Sequence, residues 1–312
     1  MAKIVGIDIG GTKISGAIIE NGIIISDIKK EKTPFCTSEI LEQAFKIIQK
    51  LQKTEKIDAI AIATAGAVNN ENSQVIGSTG NLPKDYSSTN FKEIFEKKFN
   101  LPFLIENDAN AAAFAEYKIG AAKGSSSSIT VTLGTGVGGG IIINDKILKG
   151  KSGAAGEIGH IILGIKEKRA CTCGQYNCFE AYASGTGFKK TIEELSKELP
   201  EFKNSILKNK KAEELSTYDI ISGNKDGDDF CKIAYETWEK HLIIGLISLT
   251  NIFDPDNIVL SGGLSGEVNY KKVEKAINDS IVTKPIKLFQ AKAGNYSGMI
   301  GAALLALSSI ER

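Results

Sequence analysis

The sequence predicts an α/β protein of two domains, each built on a mixed sheet flanked by helices and related to the other by internal duplication. Three observations predict it. The chain has 312 residues, about two ordinary domains. Strand-like apolar runs alternate with runs of helical period through both halves, which is the grammar of α/β sheets. Finally, IVGIDIGGTKISGAIIENGIII returns as SITVTLGTGVGGGIIINDKIL: placing Gly10 on Gly134 also places Gly16 on Gly140 and Ile19 on Ile143. A long shared offset that keeps both the glycines and the turns is the mark of a repeat.

Taken in order, the first copy reads as a strand, a glycine turn, a second strand, an Asn21-Gly22 hairpin signal and a third strand. SEILEQAFKIIQKLQ carries apolar residues at helical spacing, and IDAIAIATAG is a short buried strand ending at Gly66. NFKEIFEKKFN is a short helix, LPFLIEND a strand, and ANAAAFAEYKIGAAKG an alanine-rich helix stopped at glycine. The second copy follows, with Asn144-Asp145 as its turn. Next come a glycine-rich, cysteine-bearing stretch from Gly150 to Gly187 and several helices, including a long apolar one around WEKHLIIGLISLTNIF. IVLSGGLS and PIKLFQA are strands, and GMIGAALLALSSI is a closing helix. The expected division is a small domain over residues 1–108, completed by the helix at 298–312, and a large domain over 109–297.

Charge excludes some classes of partner. Lys and Arg total 38 against 37 Asp and Glu, a formal charge of +1, so no nucleic-acid or membrane-surface partner is expected. Arg169 and Arg312 are the only arginines, so phosphate handling would fall mostly to backbone N–H groups. No stretch of eighteen apolar residues and no leader-like segment stands out, and the five cysteines form one tight cluster with two outliers. This pattern fits a cytoplasmic protein with a metal site better than a disulfide framework.

Four constellations carry chemistry. Asp8-Ile9-Gly10-Gly11-Thr12-Lys13 joins two strands. Its glycines let a ligand approach the backbone, Asp8 suits a Mg²⁺-water contact, and Thr12 and Lys13 can donate to phosphate. Thr132-Leu133-Gly134-Thr135-Gly136-Val137-Gly138-Gly139-Gly140 is its duplicate and is followed by an apolar strand rather than a helix, which argues against a dinucleotide fold. A third glycine turn, Ser261-Gly262-Gly263-Leu264-Ser265, ends a strand. Three such turns make nucleotide binding the leading reading. Next, Glu106-Asn107-Asp108 opens the alanine-rich helix; Asp108 is either a helix cap or a general base for a substrate hydroxyl, kept ionised by the helix N-terminus, with Asn107 placed to hold a neighbouring hydroxyl. Last, His160, Cys171, Cys173 and Cys178 supply one imidazole and three thiolates, a closed tetrahedral set for structural zinc, which would fix Glu157 and Glu180 beside the site. His241, inside an amphipathic helix, reads as a helix-surface or core residue rather than a ligand.

In their order along the chain, DIGGTK, ENDANAA, TLGTGVGGG, AGEIGH, CTCGQYNCFEAYASGTG, IVLSGGLS and GMIGAALLA resemble the ROK family of sugar kinases and repressors, within the actin and hexokinase superfamily. The resemblance implies two duplicated actin/ribonuclease H-like domains with the active-site cleft between them. It also implies ATP- and Mg²⁺-dependent transfer of the γ-phosphoryl group to the 6-hydroxyl of a hexopyranose, with glucose the leading acceptor. By motif position Asp108 would be the base. Gly66, Asn81, Asn107, Glu157, His160 and Glu180 would join it in binding sugar. Asp8, Gly10, Gly11, Thr12, Lys13, Gly134, Thr135, Gly136, Gly138, Gly262 and Gly263 would surround ATP and Mg²⁺. His160 would ligate zinc with Cys171, Cys173 and Cys178, coupling the metal to sugar binding. A homodimer or homotetramer is the family habit.

The chain departs from the family pattern in three places. Ala63-Thr64-Ala65-Gly66-Ala67-Val68 stands where many glucokinases of the family have Pro-Gly, and Asn81-Leu82-Pro83-Lys84-Asp85 where Gly-Trp often follows Asn-Leu. ATAG followed by Ser78-Thr79 is also similar to N-acetylmannosamine kinases, which makes that sugar the alternative acceptor. Asn177 replaces a glycine before the last cysteine, a substitution that Asn tolerates because it adopts left-handed backbone readily. A repressor of this family needs a helix-turn-helix ahead of the first phosphate loop; seven residues precede Asp8, so that reading is disfavoured. A sensor without catalysis would lack the base that Asp108 supplies.

Overall fold

The computed structural model describes residues 1–77, 82–166 and 168–311. Its elements begin with β1 (Lys3–Ile9), β2 (Lys13–Glu20), β3 (Ile23–Ile24), β4 (Lys29–Lys32), α1 (Thr37–Gln52), β5 (Ala59–Thr64), β6 (Ala67–Val68), β7 (Val75–Gly77), α2 (Phe91–Phe99), β8 (Phe103–Asn107) and α3 (Asp108–Ile119). They continue with β9 (Ser127–Leu133), β10 (Val137–Ile143), β11 (Lys146–Ile147), α4 (Glu180–Ala183), α5 (Gly185–Glu198), α6 (Thr217–Lys225), α7 (Asp229–Phe253), β12 (Asn257–Ser261), α8 (Tyr270–Asn278), β13 (Lys287–Gln290) and α9 (Ser297–Ile310). Two compact units emerge: Met1–Thr130 with Gly139–Gly156 and Ala291–Arg312, and Val131–Gly138 with Glu157–Gln290. No helix among the described residues is long and apolar enough to cross a membrane.

The first sheet runs β3-β2-β1-β5-β8, with β4 also paired to β2; the second runs β11-β10-β9-β12-β13. The two orders are the same pattern, so the repeat read from the glycines is a repeat of topology. Both hairpins turn through left-handed residues, Asn21 and Gly22 in one, Asn144 and Asp145 in the other, the backbone that a two-residue turn between twisted strands requires.

Side-chain alternation explains how the first sheet is covered. In β5 (AIAIAT) Ile60 and Ile62 face the cluster that includes Ile40, Ile47, Phe91 and Phe95 of α1 and α2. Ala59, Ala61 and Ala63 face the opposite cluster, with Ala111 and Ala113 of α3 and Met299 and Ala303 of α9. Large residues on one face and small ones on the other bring α3 and α9 close to the sheet and to each other. A β-carbon on Gly301 of α9 would lie 1.7 Å from the Ala111 carbonyl oxygen.

Register then places the chemistry. β1, β5 and β8 are parallel, with Asp8 opposite Ala63 and Ala63 opposite Glu106. Asp8 and the Glu106-Asn107-Asp108 turn therefore lie at one edge of the sheet, two strands or about 10 Å apart. This is the edge at which open α/β sheets bind ligands.

In the second unit Trp238 of α7 stacks on Phe188 at 4.9 Å and donates its indole N–H to the Ala183 carbonyl at 2.8 Å. His241 of the same helix packs edge-on against Tyr182, a core position.

The close helix contact gives a stability test. Gly301→Ala forces α3 and α9 apart and should lower the unfolding free energy by roughly 1 to 3 kcal/mol. Gly164→Ala, where an added β-carbon meets nothing within 4 Å, should stay within about 0.5 kcal/mol of wild type. Urea unfolding of both variants checks the pair, and equal midpoints would refute the packing argument.

Candidate functional site

In the first unit the turn between β1 and β2 is held from behind by Thr33. Its hydroxyl donates to the Gly10 carbonyl (2.6 Å) and its N–H to the Thr12 carbonyl (3.1 Å). Thr12 and Lys13 are exposed and Asp8 is half-buried. Gly10 has no positive φ, and a β-carbon there would meet only the Lys13 carbonyl at 3.4 Å. Among the described residues nothing at that position demands glycine, so the backbone there is open to approach. Burial pushes the Asp8 carboxyl up to about 6, and the Asp108 carboxylate pushes the same way while Lys13 opposes both. Two carboxyl groups with one facing lysine suit a hard divalent cation, whose charge would remove that conflict.

At the β8–α3 junction the cap is Asn107. Its side-chain oxygen accepts the N–H groups of Ala109 and Asn110, both at 3.0 Å, and its amide donates to the Gly66 carbonyl at 3.0 Å. The second hydrogen of that amide has no partner among the described residues. Asp108 is exposed at the first position of the helix and shares the Ala109 N–H with Asn107, its Oδ1 accepting at 2.8 Å. Behind the turn lies Glu106, 1% exposed. It accepts from the Asn107 N–H (2.9 Å), Asn110 Nδ2 (3.2 Å) and Asn72 Nδ2 (2.9 Å), and pairs with Lys149 at 2.8 Å. Sequence reading gave Glu106 no role. The available signal was a lone acid inside the apolar run FLIEN.

Gly66, at φ 97, packs against the β6–β7 hairpin, where a β-carbon would lie 2.3 Å from the Gly77 carbonyl oxygen. Its carbonyl serves Asn107. Asn81 and the Ser78-Thr79 pair lie outside the described residues.

In the second unit Gly134 repeats the logic of Gly10: a β-carbon there would meet nothing within 4 Å. Gly136 differs, since a β-carbon would sit 2.2 Å from Glu180 Oε2. Gly262, at φ 86, brings the third glycine turn against the end of β9, where the Leu264 N–H donates to the Leu133 carbonyl at 3.2 Å. The one described arginine, Arg169, is not available to phosphate. Its guanidinium is buried, pairs with Glu194 at 2.6 Å, donates to Thr191 and the Gly187 carbonyl, and lies over the Tyr182 ring.

The cysteine loop brings its predicted ligands together. The ligand atoms of His160, Cys171, Cys173 and Cys178 all lie within 4.8 Å of one another. Cys171 Sγ is 3.6 Å from His160 Nδ1, and Cys173 Sγ is 3.6 Å from Cys178 Sγ. A tetrahedron with zinc–sulfur bonds of 2.3 Å has edges of about 3.8 Å, so both spacings fit that ion. All five cysteines are free. Burial, helped by the neighbouring thiols, pushes Cys178 up to about 12, while the Gln175 backbone draws Cys173 down; crowded thiols of this kind ionise together only around a cation. Asn177 shapes the loop at φ 59. Its side chain accepts from the Arg169 N–H and the Tyr182 hydroxyl and donates to the Ile165 carbonyl, bonds that a glycine could not make. Glu157 is exposed at the start of the short turn Ile158–His160. Glu180 heads α4.

Comparison with known proteins places this arrangement. A family model described as the ROK family matches residues 4–309. A glucokinase from Streptomyces coelicolor is 33% identical, the match covering 98% of each chain. A xylose repressor from Caldicellulosiruptor bescii is 30% identical over 89% of this chain and 70% of its own. Among solved structures, a ROK family glucokinase from Streptomyces griseus, in complex with glucose and AMPPNP, superposes with a TM-score of 0.79 at 30% identity, covering 98% of this chain and all of that one.

The raised Asp8 carboxyl makes a prediction for the ligand-free protein. Because its folded-state pKa lies above the unfolded value of 3.8, ionised Asp8 destabilises the fold. The penalty is absent below about pH 4, grows up to pH 6 and is complete above it. Asp8→Asn should therefore raise the unfolding free energy by roughly 3 kcal/mol at pH 7.5, with the gain shrinking toward pH 4. Urea unfolding across that range checks it; a variant no more stable than wild type at pH 7.5 contradicts it.

Proposed function

The chain belongs to the ROK family and is a sugar kinase, and from that premise we propose that it transfers the γ-phosphoryl group of ATP to the 6-hydroxyl of glucose, with Asp108 as the general base. The observation that carries the assignment is the β8–α3 turn. Capping is done by Asn107 and the backbone is fixed by Glu106, so the exposed Asp108 carboxylate is presented at the ligand edge of the sheet.

In this reading Asp108 takes the proton from the sugar 6-hydroxyl as that oxygen forms its bond to the γ-phosphorus. The bond from the γ-phosphorus to the bridging oxygen breaks, and ADP leaves with that oxygen. The turns around Gly10, Gly11, Gly134, Thr135, Gly136, Gly138, Gly262 and Gly263 offer backbone N–H groups to the phosphates, with Thr12 and Lys13 as side-chain donors. A magnesium ion near Asp8, when bound, would supply charge neutralisation for the phosphates. Gly66, Asn107, Glu157, His160 and Glu180 would orient the sugar, as their motif positions imply. Zinc held by His160, Cys171, Cys173 and Cys178 would fix the imidazole and the acids on either side of it. The setting is cytoplasmic and the assembly a homodimer or homotetramer.

Asp108→Asn should lower kcat at least about a hundredfold while sugar affinity stays within a few fold. A coupled ADP-release assay with a parallel sugar titration checks this, and a variant with wild-type kcat refutes the assignment. The same assay run with glucose, N-acetylglucosamine, N-acetylmannosamine, mannose and fructose at equal concentration should give glucose the highest kcat/KM. A tenfold preference amounts to about 1.4 kcal/mol in transition-state binding, and a preference of that size for N-acetylmannosamine would move the assignment to the alternative acceptor.

A further inference from the structure

Two motifs that the sequence keeps apart, the glycine turn at 133–138 and the cysteine loop, are stitched together in the second unit. The Val137 N–H donates to Glu180 Oε2 at 3.0 Å. The other oxygen of that carboxylate, Oε1, is 3.3 Å from the Thr172 hydroxyl and 3.8 Å from Cys171 Sγ. Just beyond α4, the Gly185 N–H donates to the Gly134 carbonyl and the Thr186 hydroxyl to the Thr135 carbonyl, each at 2.8 Å. On the other side Gly159, next to the ligand His160, lies so close that a β-carbon would be 2.1 Å from the Val137 carbonyl oxygen. Gly136 makes the corresponding room for Glu180. The conformation of the glycine turn is thus set largely by residues that belong to, or flank, the metal-ligand set.

We propose that Glu180 is a positioning residue that couples occupancy of the His160–Cys171–Cys173–Cys178 site to nucleotide affinity. One carboxylate oxygen follows the Cys171-Thr172 turn, whose position a bound ion fixes. The other aims the Val137 N–H and with it the amides of the glycine turn. The coupling is separate from any contact that Glu180 makes to sugar, because it operates with no sugar present. It rests on the reading of the glycine turn as a phosphate site. Linkage makes it reciprocal: whatever factor the metal adds to nucleotide binding, nucleotide adds to metal binding.

The experiment uses the whole chain without sugar. AMPPNP with Mg²⁺ is titrated calorimetrically into zinc-loaded and chelator-stripped protein, and zinc affinity is measured by chelator competition with and without the nucleotide. Circular dichroism confirms that each form is folded. Wild type should bind AMPPNP at least tenfold more weakly once stripped, and should hold zinc tighter by the same factor when AMPPNP is present. Glu180→Ala should retain one zinc per chain by elemental analysis, with the coupling factor reduced to near one. Where stripping unfolds the protein, AMPPNP titration of zinc-loaded Glu180→Ala decides, and an affinity equal to that of zinc-loaded wild type overturns the role of Glu180.

Equal nucleotide affinity with and without zinc in folded wild type overturns the coupling and leaves the kinase reading standing. So does a Glu180→Ala protein with the full wild-type factor. Wild-type protein that binds no AMPPNP overturns the kinase reading, and this inference with it.

Discussion

The buried carboxylate of Glu106 is the constraint on which the β8–α3 edge of the first unit depends. An ionised side chain almost wholly out of water is tolerable only when it is paired and its lone pairs are used. Here Lys149 supplies the opposite charge, and the Asn107 backbone, Asn110 and Asn72 supply donors. These partners come from the β8–α3 turn, the β6–β7 hairpin and the segment after β11. Satisfying one carboxylate therefore fixes three pieces of chain at once, including the backbone that presents Asp108. Lys149 extends the tie by donating to the Asn69 carbonyl. Such a network favours one arrangement over near alternatives, because any shift leaves a charge or an amide without a partner.

The glycines divide into two kinds that look alike in sequence. At Gly10 and Gly134 the described neighbours would accept a β-carbon, which leaves the backbone there open to approach; at Gly136, Gly159 and Gly301 a β-carbon would collide with the protein itself. The first kind sits at equivalent places in the two repeats. The second kind lets a carboxylate, a loop and a helix approach a neighbouring backbone. Composition shows only that glycine clusters between Gly134 and Gly164; which glycines are required by packing depends on neighbours distant in sequence.

Much of the fold was legible because its signals are local. The Asn21-Gly22 and Asn144-Asp145 turns, the Ile/Ala alternation of β5 and the alanine-rich α3 all state their structure within a few residues. The four-ligand cluster was legible for the same reason, since spacing alone brings a cysteine loop together. β4 was not, because KKEK carries no apolar alternation and becomes a strand only by pairing with β2. The β6–β7 hairpin is too short to carry a period. The roles of Glu106, Arg169 and Thr33 escaped because each acts through partners far along the chain. Arg169 is spent on Glu194 and the α4–α5 backbone, in keeping with the expectation that arginine would contribute little to holding phosphate.

That disposition of arginine sharpens the electrostatics of the site. With Arg169 turned inward, the positive partners left for a triphosphate in the first turn are Lys13, backbone N–H dipoles and a divalent cation. Asp8 and Asp108 oppose phosphate, and the Asp8 carboxyl is raised by burial first and by the Asp108 carboxylate second. A ligand-free site in this state repels a bare nucleotide and is receptive to one that arrives with its cation, because the cation relieves the repulsion between carboxylates and the charge on phosphate together. In the proposed function, a preference for a metal–nucleotide complex would follow from these charges. The same cation, by neutralising Asp8, leaves Asp108 facing less like charge than in the ligand-free protein.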